Sequence, residues 1–327
     1  MKRIIIDDSI LKYKSEIKKI KRKEVTLKNI LITILVFLYI ILYDNITINE
    51  KIKKTKLCLC VAGKKENLYA KEYVNHYKKL GYNHIYIYDN NDINDEKFED
   101  VLQDEINSNF VSVINYRGKK RIQCEAYKDC YEKYGQQYDW LSFFDFDEFL
   151  EVDAKNIQEF INNKRYEKCI NIKINFLFYS DNELLYYDNR SLEERFTTPL
   201  YYHRSNNVIK ITVRGGLKIN YWSIGCCIHS SQMKCNSCNS AGDLINYKTI
   251  INNPPNFQYA KLKHYYTKST EEYLIKSSRG SASNDVHWDE KRKKYKYKLY
   301  FYYNKRTKEK ENLLKKLFNM TSPINII

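Results

Sequence analysis

The sequence predicts an α/β fold: an open, mostly parallel sheet with flanking helices, preceded by one transmembrane helix. Two patterns support this prediction. From residue 57 onward, short apolar runs alternate with amphipathic stretches of helical period, which is typical of a parallel sheet with crossover helices. Nearer the N-terminus, an apolar run follows a basic segment, as in a membrane anchor. The 327 residues leave room for one large domain with an appendage.

The apolar run at 30–43 is interrupted only by Thr33, and Lys28 could reach the headgroups if the run starts at residue 27. A membrane span needs about 20 apolar residues, so the length is borderline. The basic segment at 18–23 precedes the run, and basic residues keep their end of a span cytoplasmic. A cleaved signal peptide fits less well, because the leading region is long and no small-x-small site follows. We expect a basic cytoplasmic tail at 1–26, a single-pass type II anchor at 27–44 and a stem at 45–56.

The net charge of +16 lies mostly at the two ends of the chain. Residues 57–290 carry 30 basic and 32 acidic side chains and are close to neutral. Nucleic-acid-binding proteins usually carry their basic stripe on the folded domain, so no nucleic-acid partner is expected. The basic segment at 291–327 is expected to form a solvated helical tail with Tyr295, Leu299, Tyr302 and Tyr303 on one face; contact with an anionic membrane surface is the alternative.

The predicted domain at 57–290 begins with a regular series of elements. Strands are predicted at 57–62, 85–88, 111–114 and 140–144, and helices at 66–80 and 122–134, with Gly81 and Gly135 at the helix ends. Ligands of such sheets bind beyond the carboxyl ends of the strands. The polar residues after these strands are therefore the candidate site residues: Lys64, Glu66, Asp89, Asn90, Asp145 and Asp147.

The acidic cluster Asp145-Phe146-Asp147-Glu148 follows the fourth predicted strand. On an extended segment, Asp145 and Asp147 point to the same side, and two such carboxylates suit a divalent cation that also bridges a diphosphate. A sequence of this composition contains about one Asp-x-Asp triplet by chance. The triplet supports a metal site only because it directly follows a predicted strand. A phosphatase of the haloacid dehalogenase type also places Asp-x-Asp after a strand, but it favours Thr or Val where this chain has Phe149.

All nine cysteines follow the apolar run, which is compatible with disulfides in an oxidising compartment. Four of them lie between residues 226 and 238, namely Cys226, Cys227, Cys235 and Cys238. A zinc site is one interpretation of this cluster. The spacing favours a loop disulfide or buried thiols, because adjacent cysteines are awkward ligands for one tetrahedral metal.

Several segments resemble glycosyltransferase family 92 and family 2-like enzymes, which share the GT-A fold. The similar segments are 64–66, 72–77, 80–90, 123–130, 140–150 with its Asp-x-Asp-Glu-Phe motif, and 264–273, followed by Lys276 and Arg279. They occur in the family's order over roughly residues 57–285. Lys65 stands where the family usually has Asn, and residues 177–202, which would shape the acceptor site, match weakly.

The resemblance implies roles for individual residues. Glu66, Asp89 and Asn90 would hold the base and ribose of a nucleotide-sugar, and Lys64 would belong to the same nucleotide-sugar site. Lys268, Lys276 and Arg279 would clamp the diphosphate. The expected metal ligands for Mn²⁺ (or Mg²⁺) are Asp145, Asp147 and His264, with His229 as the alternative histidine. Glu148 and Asp181 are the candidates for the general base.

The function implied by the resemblance is metal-dependent transfer of a sugar, a hexosyl group, from a nucleotide-sugar to a glycan or glycoconjugate acceptor. The donor would be a UDP-sugar, and the anomeric carbon would be inverted. Together with the anchor, the resemblance implies a Golgi membrane location in a eukaryotic cell. Two alternatives remain: a catalytically inactive GT-A scaffold and the phosphatase.

Overall fold

We describe the chain from a computed structural model, over residues 8–51, 55–217, 236–245, 251–279 and 289–319. The chain divides into two compact units, Met1–Lys54 and Thr55–Ile327. Cys226, Cys227, Cys235 and His229, which the sequence analysis singled out, lie outside the described residues.

The first unit contains one long helix, α1 (Asp8–Lys51). The predicted transmembrane anchor at 27–44 lies within this helix but is not confirmed. In the part of the chain that the structure describes, no helix is both long enough and apolar enough to cross a membrane. The predicted type II orientation and Golgi location stay predictions.

The first half of the second unit confirms the predicted alternation of strands and helices. The elements are β1 (Leu57–Gly63), α2 (Asn67–Leu80), β2 (His84–Asp89), α3 (Glu99–Asn107), β3 (Val111–Asn115), α4 (Gln123–Tyr134) and β4 (Trp140–Phe143). Helix α2 ends at Gly81, whose φ of 98° is left-handed, as expected of a C-cap glycine. The strands β3, β2, β1 and β4 are neighbours in that order, and all three pairings are parallel.

The second half completes the sheet and adds five α-helices among the described residues. Its elements are β5 (Glu148–Val152), α5 (Ile157–Ile161), β6 (Asn171–Phe178), α6 (Leu192–Arg195), β7 (Ile209–Arg214), β8 (Ser237–Asn239), β9 (Leu244–Ile245), β10 (Ala260–His264), α7 (Thr270–Arg279), α8 (Glu290–Tyr303) and α9 (Lys308–Leu314). Eight of the strands are neighbours in the order β3-β2-β1-β4-β7-β6-β10-β5, and β8 pairs with β6 and β9 beside this order. Strand β7 runs antiparallel to both β4 and β6, and β10 runs antiparallel to β5. The sheet is therefore mixed beyond β4, whereas a mostly parallel sheet was predicted.

Helix α2 fixes the position of the acidic cluster through two buried tyrosines. The hydroxyl of Tyr73 donates to the carbonyl of Phe144 at 2.9 Å, and that of Tyr77 donates to the carbonyl of Glu148 at 2.7 Å. The ring of Phe146 packs 4.7 Å from the ring of Tyr73. Gly63 leaves room for this ring, because a Cβ at Gly63 would lie 2.5 Å from Phe146. The backbone on both sides of the acidic cluster is thus held by the core.

Two disulfides connect segments that are far apart in sequence. Cys60 of β1 is bonded to Cys130 of α4, and Cys169 is bonded to Cys238. The second bond removes Cys238 from the four-cysteine zinc site considered above, because a disulfide sulfur does not supply a thiolate ligand.

Helices α8 and α9 pack on the domain, although the sequence predicted a solvated tail. Asp181, Tyr300 and Lys310 are all buried. The carboxylate of Asp181 accepts hydrogen bonds from Lys310 Nζ at 2.6 Å and from the hydroxyl of Tyr300. Two residues of the helix face that was predicted to be apolar are exposed to solvent: Tyr295 is 55% exposed and Tyr302 is 44% exposed. The prediction missed this contact because both partners of Asp181 lie more than 100 residues away in sequence.

The Lys310→Met variant tests whether α9 belongs to the fold. We expect the free energy of unfolding to fall by about 3–5 kcal/mol, because Asp181 would remain buried without its cation. Lys308→Met, on the exposed side of the same helix, should change it by no more than about 0.5 kcal/mol. Urea unfolding of the full chain measures both values, and equal values for the two variants would contradict the packing.

Candidate active site

The acidic residues lie on a turn and not on an extended strand. Between β4 and β5, the amide of Glu148 donates to the carbonyl of Asp145 at 3.0 Å, and the amide of Asp145 donates to Glu148 Oε2 at 2.9 Å. The expectation that Asp145 and Asp147 share one side of an extended segment is therefore wrong. The turn gives the two aspartates different surroundings.

Asp147, Glu148 and His264 form a buried cluster, and their ligand atoms all lie within 4.8 Å of one another. The pairing of β10 with β5 places His264 opposite Glu148. His264 Nε2 lies 3.4 Å from Asp147 Oδ2. The imidazole ring packs against two aromatic rings, those of Phe176 and Phe178, each with its centroid 4.5 Å away. The register of one strand pair thus unites residues more than 100 positions apart.

This cluster fits a divalent cation. The Nδ1 atom of His264 is buried and has no hydrogen-bond partner among the described residues. Burial lowers the pKa of His264, which keeps the imidazole in the neutral form that binds metals. Two carboxylates and an imidazole are ligands that Mn²⁺ accepts. Glu148 therefore stands in this cluster where the sequence predicted Asp145.

Asp145 lies beside the cluster and shares Lys210 with Glu148. Its carboxylate accepts hydrogen bonds from Lys210 Nζ at 2.9 Å, from the hydroxyl of Tyr127 at 2.9 Å and from Gln123 Nε2 at 3.1 Å. Lys210 Nζ is also 3.4 Å from Glu148 Oε1. Burial raises the pKa of Glu148 well above its ordinary value, although Lys210 acts to lower it. Lys210 was missed from sequence, because a lysine in a strand carries no motif.

The residues predicted to bind the diphosphate lie in α7 or just before it: Lys268 precedes the helix, and Lys276 and Arg279 are in its last turn. Lys276 Nζ contacts Asp147 Oδ2 and donates to the carbonyl of Tyr266 at 3.1 Å. Burial acts to raise the pKa of Asp147, but Lys276 and His264 outweigh it and hold this pKa well below its usual range. Lys268 is 3% exposed, lies 3.7 Å from the ring centroid of Tyr69, and has its pKa lowered by burial to about 8.

Glu66 joins the same group through an ion pair with Arg279, which also donates to the carbonyl of Lys65. The second carboxylate oxygen of Glu66, Oε2, is buried and has no hydrogen-bond partner among the described residues. The side chain can therefore accept a further hydrogen bond from a ligand.

The predicted nucleoside residues lie at the carboxyl end of β2. Asp89 is paired with Arg117 at 2.6 Å, and Asn90 Nδ2 donates to the carbonyl of Lys119 at 2.7 Å. Lys64 Nζ pairs with Asp92 at 2.8 Å. A cavity of about 560 Å³ opens beside these residues, lined by Asp92, Ile93, Asn94, Asp95 and Gly118. Asp89 and Asn90 thus hold the loop that forms the cavity wall.

Asp181 is the one candidate that the structure does not bring into this arrangement. Its carboxylate contacts Lys310, Tyr300 and the backbone amide of Glu183. These three donors come from the fold itself, which leaves Glu148, a member of the cluster, as the candidate base.

The Lys210→Met variant tests the charge balance of the cluster. Without Lys210, the pKa of Glu148 rises further, and its ionised form becomes costlier to bury. Because the protonated carboxyl carries no charge, this cost fades as the pH falls through the raised pKa. We therefore expect the loss in free energy of unfolding to be several kcal/mol at pH 8 and clearly smaller at pH 5.

The control for this variant is Lys261→Met, which removes the partly exposed ion pair with Glu151. Its effect on the free energy of unfolding should be about 0–1 kcal/mol. A Lys210→Met effect that is equal at the two pH values would contradict the assignment.

Comparison with known proteins identifies the family of the first part of the domain. The profile of Glycosyltransferase family 92 matches residues 53–214. This segment contains β1 to β7, with the acidic turn and Lys210, and it ends before His264 and α7. No curated protein matches the sequence.

Solved structures show only distant similarity. S. aureus TarS 1–349 in complex with UDP-GlcNAc is 15% identical, with 38% of this chain and 35% of that chain covered and a TM-score of 0.28. S. aureus TarS 1–349 is 10% identical, with 81% of this chain and 71% of that chain covered and a TM-score of 0.36. The mannosyltransferase PcManGT from Pyrobaculum calidifontis in complex with GDP-Man and Mn²⁺ is 7% identical. The match covers 69% of this chain and 61% of that chain, with a TM-score of 0.36.

At these TM-scores, the structural similarity carries no argument about the ligands of this chain. The chain also spans only about a third of the length of the first TarS structure. The profile match, in contrast, confirms the resemblance that the sequence motifs indicated. Residues 53–214 match glycosyltransferase family 92.

Proposed function

We propose that the protein transfers a sugar from a nucleotide-sugar, in particular a UDP-sugar, to a hydroxyl group of a glycan or glycoconjugate, with a GT-A type of site. The observation that carries this proposal is the buried cluster of Asp147, Glu148 and His264. It lies directly beside Lys276, whose ammonium group contacts Asp147. A site with metal ligands on one side and cations on the other suits a diphosphate.

Asp147, Glu148 and His264 would hold the divalent cation, Mn²⁺ or Mg²⁺. When bound, the cation would neutralise negative charge on the departing nucleoside diphosphate. Asp145 would act indirectly, because its carboxylate already accepts hydrogen bonds from the side chains of Lys210, Tyr127 and Gln123. Its contribution is to keep Lys210 beside Glu148.

The cations of α7 and its preceding loop would bind the phosphates. Lys276 and Lys268 are buried or half-buried next to Asp147 and Glu66, and Arg279 can offer a bidentate contact. Glu66 Oε2 would accept a hydrogen bond from a ribose hydroxyl. The nucleobase would enter the cavity at the loop after β2. Asp89 and Asn90 support this loop.

Inversion at the anomeric carbon requires a general base that accepts the proton of the acceptor hydroxyl. Glu148 is our candidate, since burial raises its pKa well above the ordinary value of a carboxyl group and a raised pKa favours proton acceptance. The same carboxylate could instead bind the metal. A Glu148→Gln variant separates these roles, because the amide oxygen can still bind a cation while the side chain no longer accepts a proton.

The inactive-scaffold alternative has one observation in its favour. Lys65 replaces the Asn usual in the family, and its ammonium pairs with Asp95 at 2.9 Å. Calorimetric titration with UDP, with and without Mn²⁺, together with a screen of UDP-sugars for released UDP, separates the alternatives. A scaffold binds the nucleotide without releasing UDP from any donor, and a phosphatase hydrolyses a generic phosphomonoester instead.

The Asp147→Ala variant tests the proposed metal site. We expect a folded protein in which Mn²⁺-dependent release of UDP falls at least a hundredfold, because the most central ligand is lost. Asp153→Ala is the matched control at an exposed carboxylate directly after β5, and it should keep wild-type activity. Undiminished turnover in Asp147→Ala, or turnover without any divalent cation, would overturn the mechanism.

A further inference from the structure

A second cavity, of about 550 Å³, opens between the loop before β7 and the loop before β10. This volume lies in the range of roughly 300–1,000 Å³ that is usual for small-molecule sites. Among the described residues that line it, none was assigned above to the donor or the metal. The lining residues that can bear on a ligand are Tyr201, Tyr202, Arg204, Asn207, Asn253 and Phe257. The cavity is thus separate from the proposed donor site.

One buried side chain, Asn175 of β6, holds both walls of this cavity. Its amide nitrogen donates to the carbonyls of Asn206 and Asn207 on one wall, at 2.8 and 3.2 Å, and to that of Asn252 on the other, at 3.2 Å. Its amide oxygen accepts hydrogen bonds from Asn252 Nδ2 at 2.9 Å and from the backbone amide of Asn256 at 3.0 Å. Asn175 is fully buried, and walls fixed in this way keep their shape before a ligand binds.

Ring contacts connect the cavity to the proposed metal cluster. His203, which also lines the cavity, has its ring centroid 6.1 Å from that of Phe178 at the end of β6. The ring of Phe178 in turn packs 4.5 Å from that of His264, its partner in the register of β6 with β10. The cavity is therefore two ring contacts away from the cluster. A ligand that occupies the cavity and reaches the cluster must be longer than one sugar ring.

The aromatic part of the lining suits the apolar face of a sugar. Tyr202 is fully exposed and Tyr201 is 49% exposed. The rings of Tyr201 and Phe257 lie with their centroids 6.1 Å apart, so the aromatic surface at the cavity is shared by several side chains. Exposed apolar surface of this kind marks a binding site when it is contiguous. The negative face of an aromatic ring attracts the C–H groups of a sugar ring.

The polar part of the lining suits sugar hydroxyl groups. The side-chain amides of Asn207 and Asn253 make no hydrogen bond to another described residue. An amide group offers donors as well as an acceptor, as a hydroxyl group does, and the guanidinium of Arg204 adds further donors. No carboxylate is present among the described residues of the lining, so the cavity does not suit a cation.

We propose that this cavity binds a sugar residue of the acceptor glycan, at a distance from the hydroxyl group that receives the transferred sugar. The rings of Tyr201 and Tyr202 would contact the apolar face of this sugar residue. The amides of Asn207 and Asn253 would bind its hydroxyl groups. The proposal rests on the proposed function, which supplies a glycan as the acceptor.

The cavity extends what the family resemblance implied for the acceptor. The resemblance assigned the acceptor only to the range 177–202. The lining continues through 203–207 and 253–257, and the second of these segments lies outside the family match at 53–214. The acceptor would therefore be held by two loops that are distant in sequence and are joined by the side chain of Asn175.

The test is a calorimetric titration of the full chain with neutral trisaccharides of glucose, galactose, mannose or N-acetylglucosamine. Tyr202→Ala should weaken the binding of a trisaccharide by about tenfold, because an aromatic contact is lost. Asn207→Ala should weaken it by about threefold to tenfold, because a hydrogen-bonding side chain is lost. Thermal unfolding verifies that both variants are folded.

The matched controls are Tyr295→Ala and Gln258→Ala. Each removes an exposed side chain of the same chemical kind that does not line the cavity, and each should bind trisaccharides within about twofold of wild type. Titration with UDP in the presence of Mn²⁺ should give the same affinity for the wild type and all four variants, because the donor site is separate from the cavity.

The outcomes separate this inference from the proposed function. Weaker trisaccharide binding in Tyr202→Ala and Asn207→Ala, but not in the controls, supports the glycan site. Unchanged trisaccharide binding in these two variants, or a wild-type protein that binds none of the trisaccharides, overturns the inference and leaves the proposed function standing. Trisaccharide binding that depends on Tyr202 and Asn207, in a protein that releases UDP from no UDP-sugar, supports the glycan site and contradicts the proposed transfer.

Discussion

Buried carboxylates on the turn at 145–148 require positive charge beside them, and the second half of the domain supplies it. Asp147 and Glu148 are almost fully buried, where an unpaired charge would cost several kcal/mol. Lys210 comes from β7 and Lys276 from α7, so the turn depends on segments that follow it by more than 60 residues. Sheet order and helix packing after β5 can be understood as the arrangement that brings these cations to the turn.

The first half of the domain meets a complementary requirement, which is to hold the backbone of the turn. Two tyrosine hydroxyls of α2 bind the carbonyls of Phe144 and Glu148. Phe146 fills the space that Gly63 leaves open. A site whose backbone is set by a packed core keeps its ligands in place before any ligand binds. The acidic turn is thus positioned by one half of the domain and neutralised by the other.

Local patterns were sufficient to predict the strands β1 to β4 and the helices α2 and α4, because each strand has its own apolar run and each of these two helices has a glycine after its end. They did not predict α3, which is followed by Ser108. They were insufficient for the turn itself. Asp145 and Asp147 are two positions apart in sequence whether the segment forms a strand or a turn. Only the turn places Glu148 in one cluster with Asp147. Lys210 gave no signal, because its partners are 62 and 65 residues away.

The C-terminal helices show a further limit of sequence patterns. A segment with 12 basic and 2 acidic residues at 291–316 has the composition of a solvated helix. Its lysines nevertheless include Lys310, which is 1% exposed and neutralises Asp181. Burial of a lysine depends on a distant carboxylate, which the helical period does not reveal. The resemblance to the family also did not predict the packing of α8 and α9, since the similar segments end before α8.

The most direct test of the central claim is a crystal structure of the full chain grown with UDP and MnCl₂, with diffraction data collected at the manganese absorption edge. We predict an anomalous peak within bonding distance of Asp147, Glu148 and His264, with the diphosphate of UDP between this peak and Lys276. A peak coordinated by other side chains, or UDP bound away from the 145–148 turn, would contradict the account.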